Sequence, residues 1–327
     1  MSRGEETSPD FRFAPVALFC HRRVDSLRRG IDALSSDPLA GSTDLLVHCD
    51  GARKGEEGAV REVREYVRSI TGFRSVRIVE RDRNLGLSGS ILGGLDEVFK
   101  SHESAVVLED DIVVVPGFLG YMNTMLGRFR SIRSVLSVSG HAPFDASGFL
   151  GAADVWFGLR ASSWGWGTWR DRWTEVDWSS RFPPARRWNL VERFRFLQGG
   201  WDLDEMLRDQ ARGRIDSWAI RFCRHQARHG MLDVRPRLSL ARNIGWGGDS
   251  THCLDESMSD DPPLWESVPD RWRVPSRVEL RPELLRKFRK SGAKARWWLR
   301  WNPLVDVLMS LQDGILARRI QRERISP

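Results

Sequence analysis

The sequence of 327 residues has little of what marks zinc ribbons, secreted disulfide scaffolds and membrane-spanning proteins. Its four cysteines lie far apart and form no CxxC pair, so neither a zinc ribbon nor a disulfide framework is indicated. No apolar run approaches the ~20 residues of a membrane-spanning helix. The polar, acidic N-terminus lacks the basic-then-apolar order of a signal peptide. We therefore expect a cytoplasmic protein, with peripheral attachment to the inner face of the membrane as a further option.

Tyrosine is scarce, with two residues, whereas tryptophan is abundant, with fifteen. Many of the tryptophans stand beside polar residues between positions 156 and 218. Tryptophan faces bind sugars because the apolar C–H patches of a pyranose stack on them, although most tryptophans in proteins serve core packing. Composition alone leaves both roles open.

The net charge of +7 is located in the C-terminal tail. Residues 281–327 hold twelve Lys and Arg against four acids, a balance of +8, so the rest of the chain carries about −1. Cations there alternate with Trp297, Trp298 and Trp301, and apolar residues follow at near-helical spacing. This pattern suits an anionic membrane surface and equally suits a helix that packs on the domain. Nucleic acid is not expected as a partner, since the aromatic residues of the tail adjoin an apolar helix.

The segment from Ala105 to Asp111 is an apolar run that ends in three consecutive carboxylates. A continuous run of valine and leucine is typical of a strand buried on both faces. Because burying an unpaired carboxylate is costly, Glu109, Asp110 and Asp111 must lie at the strand end, be paired or bind a metal. On its own, the triplet favours a solvated strand end whose acids cap the next turn.

Strand and helix patterns alternate through the first 140 residues. Strand-length apolar runs lie at 16–20, 44–49, 76–79, 105–108 and 135–139, with helical patterns between them at 26–34, 56–70, 88–99 and 117–130. This alternation predicts an α/β fold of the Rossmann-like kind, with a mostly parallel sheet and helices on both faces. Residues 141–190 show little periodicity, so we expect loops and short elements there, followed by helices at 201–212 and 217–228.

Three of these strands end in polar clusters that a parallel sheet brings to one edge, with strands ~5 Å apart. The clusters are His21-Arg22-Arg23, Asp50-Gly51 and Glu109-Asp110-Asp111. A nucleotide-diphosphate sugar needs a reader of base and ribose, a cation and a carboxylate that holds a metal. Gly86-Leu87-Ser88-Gly89 opens a helix whose N–H groups could also approach such a donor.

These motifs, in this order, resemble those of GT-A glycosyltransferases. Val107 to Asp111, followed by Pro116 to Met122, is similar to the metal-binding region of bacterial family-2-like sugar transferases and, beyond them, of the N-acetylglucosaminyltransferase I type. Supporting segments are Phe19–Arg22, His48–Gly51, Arg83–Leu87, Ser162–Trp169, Ile215–Arg221 and Asn243–His252. The bacterial relatives usually read Asn-Arg-Pro where this chain has His21-Arg22. The resemblance covers residues 14–255 and is not specific for the sugar.

The resemblance implies roles at the donor side. Asp111 would be the direct ligand of Mn²⁺ or Mg²⁺, with Asp110 beside it on the metal. Glu109 and Asp110 would position the ribose and the metal waters. The remaining donor contacts would come from Arg22, Asp50, Asn84 and His252, the last of which would reach the diphosphate or the metal. For His252 a surface loop position without function is an equal alternative.

At the acceptor side, the resemblance implies that Asp216 is the catalytic base. The alternative for Asp216 is an N-cap of the following helix, a role that Asp often fills. The acceptor would be held by Trp164, Trp166, Trp169 and Trp218.

We therefore expect an inverting, metal-dependent hexosyl- or N-acetylhexosaminyltransferase that uses a UDP-sugar and a hydroxyl of a glycan or lipid-linked saccharide. The expected organisation is a disordered stretch at 1–13, a transferase domain at 14–255 divided at 140 into nucleotide-sugar and acceptor halves, and a linker with a basic amphipathic tail at 256–327. A sugar nucleotidyltransferase is one alternative, weakened because the segment from His21 to Asp25 has no glycine. A non-catalytic carbohydrate-binding protein is another, although it would not need the acidic triplet.

Overall fold

The computed structural model describes residues 13–179, 190–245 and 262–291. The first half of the chain consists of strand–helix units that begin and end close to the predicted positions. Its elements are β1 (Val16–Cys20), α1 (Val24–Ser35), β2 (Asp44–Cys49), α2 (Glu57–Val67), β3 (Ser75–Glu80), α3 (Gly86–Val98), β4 (Ser104–Glu109), β5 (Ile112–Val114) and α4 (Phe118–Phe129).

The second half is more ordered than the sequence suggested. Its elements are β6 (Val135–Ser139), α5 (Ser147–Leu150), β7 (Val155–Gly158), β8 (Trp166–Trp169), α6 (Arg170–Thr174), α7 (Leu190–Gln198), α8 (Asp202–Ala211), α9 (Trp218–His229), β9 (Leu232–Pro236), β10 (Ala241–Asn243) and α10 (Pro282–Ser291). The strands β7 and β8 are buried at every position, so they lack the apolar–polar alternation by which a half-exposed strand is recognised.

Eight strands form one sheet in the order β3-β2-β1-β4-β8-β6-β9-β7. The strands from β3 to β4 in this order run parallel, and β8 then enters antiparallel to both β4 and β6. Four of the seven strand pairings are parallel, so the predicted α/β class with a mostly parallel sheet is confirmed. Strands β5 and β10 form a separate antiparallel pair.

The central strand β1 feeds both faces of the sheet. Val16 and Leu18 belong to one buried cluster, with residues of α1, α2 and α4. Ala17 and Phe19 belong to a second cluster, with residues of α3, α8 and α9. Alternate side chains of a strand point to opposite faces, so a fully apolar strand is what a sheet covered on both sides requires.

Residues 262–291 pack against the second half of the sheet. Leu264 bridges to Ser239, and the Arg273 guanidinium pairs with the buried Asp154. On α10, Leu284 is buried in a cluster with Trp156. The described part of the predicted tail therefore belongs to the packed body. Residues 1–12 and 292–327 lie outside the described residues, and none of the described helices has the length and apolar character to cross a bilayer.

Candidate active site

The carboxyl ends of β1, β2 and β4 lie side by side, because these strands are adjacent and parallel. In register, Cys20 at the end of β1 pairs with Cys49 on β2, and Phe19 pairs with Glu109 on β4. The residues that follow each strand are therefore neighbours. The structure brings together the three polar clusters that the sequence placed at one edge.

Asp110 follows β4 directly and is buried. Its carboxylate accepts a hydrogen bond from the backbone N–H of His21 (3.2 Å) and pairs with the guanidinium of Arg23. Burial raises the pKa of Asp110, and the charge of Arg23 acts in the opposite direction. Asp110 is thus fixed in place by two groups that follow β1.

Asp111 has only 7% of its surface exposed, and its two carboxylate oxygens differ. Oδ2 lies 3.1 Å from a guanidinium nitrogen of Arg23, whereas Oδ1 is buried with no hydrogen-bond partner among the described residues. The backbone carbonyl of Asp111 accepts a hydrogen bond from Ile244 (2.8 Å), which carries the chain after β10 across the carboxylate. A Cβ at Gly245 would lie 2.4 Å from Oδ2, so a side chain there would displace the Asp111 carboxylate.

Glu109 completes the acidic triplet at the end of β4. Burial, together with the nearby charges of Asp111 and Asp110, raises the pKa of Glu109 well above its ordinary value. Even without a charge on Glu109, Asp110 and Asp111 place two carboxylates beside the one guanidinium of Arg23. Such an excess of negative charge is what a divalent cation would offset.

The fit of this site to a metal can be judged from its oxygen donors. The described ranges contain no group of three or more His, Cys, Asp or Glu side chains around one point. Mg²⁺ bound together with a nucleotide commonly takes one or two carboxylates, with the substrate phosphates completing its ligands. Asp110 and Asp111, with the orphaned Oδ1, fit that kind of site and do not form an all-protein cage.

Asp50 fastens the loop that opens α3. Its carboxylate accepts hydrogen bonds from the backbone N–H groups of Gly51 (2.9 Å), Leu85 (2.8 Å) and Gly86 (3.0 Å), and from Nδ2 of Asn84 (3.0 Å). These donors fill the roughly four acceptor positions of a carboxylate. Asp50 therefore organises this edge from within. The N–H groups of Leu85 and Gly86 already donate to Asp50, so in this arrangement they are not available to bind a nucleotide-sugar.

Arg22 and His21 form the outer rim beside that loop. The Arg22 side chain is 36% exposed and its Nε lies 3.4 Å from Glu56. Nε2 of His21 lies 3.0 Å from the carbonyl of Gly51 and 3.1 Å from Nδ2 of Asn84. Arg22 and Asn84 thus lie at the edge where the sequence predicted nucleotide contacts.

Asp216 lies on the surface immediately before α9, with 66% of its side chain exposed. It pairs with Arg221, which also donates to Ser88 Oγ on α3 (2.7 Å). The N-cap of α9 is Ser217, whose hydroxyl accepts a hydrogen bond from the N–H of Ile220 (3.3 Å). The alternative that Asp216 caps this helix is therefore wrong.

Three of the four predicted acceptor tryptophans are core residues. Trp166, Trp169 and Trp218 are at most 3% exposed. Trp166 stacks on Trp218 with ring centroids 4.6 Å apart, and Trp169 donates its Nε1 hydrogen to the carbonyl of Leu126. Because neither face of these rings is open, the expectation that they hold an acceptor sugar is corrected.

Trp164 differs from the other three because it is half-buried. Its ring packs edge-on against His141, with centroids 4.4 Å apart. Burial lowers the pKa of His141 well below its ordinary value, and the charges of Arg235 and Arg160 act in the same direction. Trp164 with a neutral imidazole beside it therefore remains the acceptor candidate.

Sequence reasoning missed several residues of this edge. Arg23 belongs to the predicted cluster His21-Arg22-Arg23, but a contact was predicted only for Arg22. For His141 the nearby predicted strand end was a usable signal, since the residue follows Gly140 after β6. Arg221 and Gly245 gave no separate signal. His252 lies in 246–261, outside the described residues.

Many solved structures share partial similarity with this chain, and two of them illustrate it. One is a mannosyltransferase of Pyrobaculum calidifontis, PcManGT, solved with GDP-Man and Mn²⁺, at 13% identity and a TM-score of 0.33, covering 52% of this chain and 48% of that one. The other is TarS of S. aureus, at 8% identity and a TM-score of 0.30, covering 46% of this chain and 28% of that one. The chain thus spans less than half of either protein. No protein-family model and no curated protein matches the chain.

Proposed function

We propose that this protein is an inverting glycosyltransferase of the GT-A type. It moves a sugar from a nucleotide-diphosphate sugar, UDP-linked in our proposal, to a hydroxyl of a glycan or lipid-linked saccharide. The observation that carries the proposal is the pair of buried carboxylates, Asp110 and Asp111, at the end of the central strand β4. Ligands of open α/β sheets bind at this edge, and buried carboxylates there need a cationic partner.

Asp111 and Asp110 would hold Mn²⁺ or Mg²⁺, which would offset the charge that develops on the departing nucleoside diphosphate. The orphaned Oδ1 of Asp111 supports this role, because a buried acceptor without a partner is destabilising unless a ligand completes it. Glu109 would order water around this pair. His252 would add a contact to the diphosphate.

The nucleotide would lie along the outer rim of Arg22 and His21, next to Asn84. The partly exposed Arg22 guanidinium, beside Glu56, is suited to a phosphate or a base edge, since arginine presents several donors in a fixed plane. Asp50 supports this rim from behind through its bonds to Asn84 and to the opening of α3. In this proposal its role is to hold the loop that meets the nucleotide.

Asp216 is proposed as the general base that takes the proton from the acceptor hydroxyl. Its exposure leaves a carboxylate oxygen accessible to an acceptor, and Arg221 holds it in place. Trp164, beside His141, would provide an apolar face for the acceptor sugar. The burial of Trp166, Trp169 and Trp218 weakens the alternative of a non-catalytic sugar-binding protein.

The test is to incubate the full chain with UDP-, GDP- and dTDP-sugars, Mn²⁺ and a set of saccharide acceptors, and to measure release of the nucleoside diphosphate. We expect release with one donor, at the same rate as formation of a glycosylated product. Asp111→Asn is the inactive comparison, and Asp32→Asn, an exposed acid on α1, is the matched control. If no donor is consumed, and pyrophosphate instead appears from a sugar phosphate and a nucleoside triphosphate, the protein is a nucleotidyltransferase and our proposal is wrong.

A further inference from the structure

One guanidinium, that of Arg23, lies between the two carboxylates of the candidate metal site. It pairs with Oδ1 of Asp110 and lies 3.1 Å from Oδ2 of Asp111. Arg23 is the residue just before α1, three positions after β1 ends, so its backbone is fixed by the sheet and the helix together. The pairing of Arg23 with both carboxylates, which we call the Arg23 bridge, is therefore fixed by the fold.

The Arg23 bridge is well enclosed. The Arg23 side chain is 23% exposed and the two carboxylates at most 10%. A Cβ at Gly245 would lie 2.8 Å from an Arg23 guanidinium nitrogen and 2.4 Å from Oδ2 of Asp111, so the backbone after β10 covers the pair closely. In such surroundings, ion pairs are screened less than at the surface, and removing one partner leaves buried charge uncompensated.

The same two carboxylates are those that a divalent cation would use. Arg23 already occupies Asp110 Oδ1 and Asp111 Oδ2, so a divalent cation bound by these carboxylates would be repelled by the like charge of the guanidinium. The one oxygen of Asp111 without a described partner, Oδ1, is the position where a metal could first attach.

We propose that Arg23 is the resident counter-ion of the acidic site and competes with the divalent cation for Asp110 and Asp111. Metal binding then requires the guanidinium to leave the two carboxylates, and the affinity for metal is set by this exchange. Without metal, Arg23 keeps the carboxylates compensated and the strand end folded. This inference rests on the metal site of the proposed function.

The test measures Mn²⁺ binding directly, by calorimetric titration and by the electron paramagnetic resonance signal of free Mn²⁺, with and without UDP. Arg23→Gln removes the charge and keeps a polar side chain. Arg23→Lys keeps the charge. Arg29→Gln, an exposed arginine on α1, makes the same change of charge away from the site.

We expect Arg23→Gln to bind Mn²⁺ about tenfold more tightly or better, the size expected when a competing charge-assisted pair is removed. Arg23→Lys and Arg29→Gln should stay near the wild type. Arg23→Gln should also unfold at a lower temperature without metal and gain more from added Mn²⁺ than the wild type. The Mn²⁺ concentration at which half of the rise in unfolding temperature is reached measures metal affinity, even when the variant is only marginally stable.

Equal or weaker Mn²⁺ affinity in Arg23→Gln would overturn the competition while leaving the metal site of the proposed function standing. Absence of Mn²⁺ binding in every variant, with UDP or without it, would remove both the metal site and the role of Arg23. A tighter affinity in Arg29→Gln as large as in Arg23→Gln would show a general charge effect and also contradict the proposal.

Discussion

The carboxylate of Asp216 pairs with the guanidinium of Arg221, and that guanidinium also donates to Ser88 Oγ at 2.7 Å. This relay connects the loop before α9 with the first turns of α3, whose opening Asp50 fastens. Asp216 is thus an exposed acid whose position is set by a buried arginine. Such a fixed and accessible carboxylate is suited to accept a proton from a bound hydroxyl.

Asp216→Asn should reduce the transfer rate by about 10²-fold or more, the size typical of a lost general base. Donor binding should change little, because the amide keeps the shape and can still accept a hydrogen bond from Arg221. Steady-state transfer kinetics and a UDP titration on the same sample provide the two measurements. Ser217→Ala is the matched control, and it should lower stability by about 1 kcal/mol through loss of the N-cap while sparing the rate. Near-normal turnover in Asp216→Asn would remove this residue as the base.

Asp111→Asn should abolish the increase in UDP affinity that Mn²⁺ produces. The substitution removes the charge of one of the two carboxylates, Asp110 and Asp111, that would hold a divalent cation. Calorimetric titration of UDP with and without Mn²⁺ measures the effect, with Asp32→Asn as an exposed-acid control. An undiminished Mn²⁺ effect in Asp111→Asn would mean that the metal lies elsewhere.

Asp50→Ala should destabilise the protein by roughly 3 kcal/mol or more, because several backbone and side-chain donors lose their buried acceptor together. Denaturation in urea gives the free energy of unfolding. Asp50→Asn keeps one acceptor oxygen and should cost less. If Asp50→Ala unfolds at the wild-type urea concentration, the loop is held by other contacts.

His48 should make the protein sensitive to acid. It is buried, its ring stacks on Phe19 at 4.9 Å, and neither ring nitrogen has a partner among the described residues. Burial lowers the pKa of His48 to about 4 from its ordinary value. The unfolded chain therefore binds a proton more readily, so the contribution of His48 to stability is present above its unfolded pKa of about 6.5 and is lost as the pH falls toward 4.

At about pH 5 the loss from His48 should be on the order of 2 kcal/mol. His48→Leu should flatten the fall of unfolding free energy between roughly pH 6.5 and pH 4, leaving the part due to other histidines. Urea denaturation across this range measures the slope. An unchanged slope in His48→Leu would contradict the assignment.

We propose that the basic tail docks the protein on an anionic membrane surface. Cations near an anionic leaflet contribute about 1 kcal/mol each, and residues 292–327 of the tail hold seven Lys and Arg against three acids. A chain cut after Ser291 should fold, bind UDP and no longer co-sediment with phosphatidylserine vesicles at low salt. A cut after Leu280 is unsuitable for this test, because it removes the buried Leu284 and Leu285 and should destabilise the domain. If the full chain ignores such vesicles, the tail has another partner.

The sequence was sufficient for the first half of the fold and for the convergence of its strand ends. Each strand there is a short apolar run between clear helical patterns. Because parallel strands end at the same edge of the sheet, the residues that follow them, such as Asp50 and Asp110, must lie at that edge. The sequence could not show how these groups use their hydrogen bonds. Asp50 was expected to meet a nucleotide, yet its acceptors are occupied by the neighbouring loop.

The second half was harder to predict because its strands have no alternation. In β8, tryptophan, glycine and threonine are all buried, so the pattern resembled a loop rich in aromatic residues. Trp166 therefore gave no sign of whether it would stack on a sugar or on Trp218. Adjacent arginines posed a similar problem. Arg22 and Arg23 are neighbours in the sequence, yet Arg22 lies beside Glu56 whereas Arg23 lies between Asp110 and Asp111.

The stack of Trp166 on Trp218, with Trp173 and Trp178 in contact nearby, also gives the molecule an optical property. The strong far-ultraviolet transitions of indole rings couple at such separations, so the native protein should have an exciton circular dichroism band in the far ultraviolet that free tryptophan lacks. Trp166 lies on β8, between β4 and β6, while Trp218 begins α9. The band therefore reports whether the helix at Asp216 is seated on the sheet, without any label added to the chain.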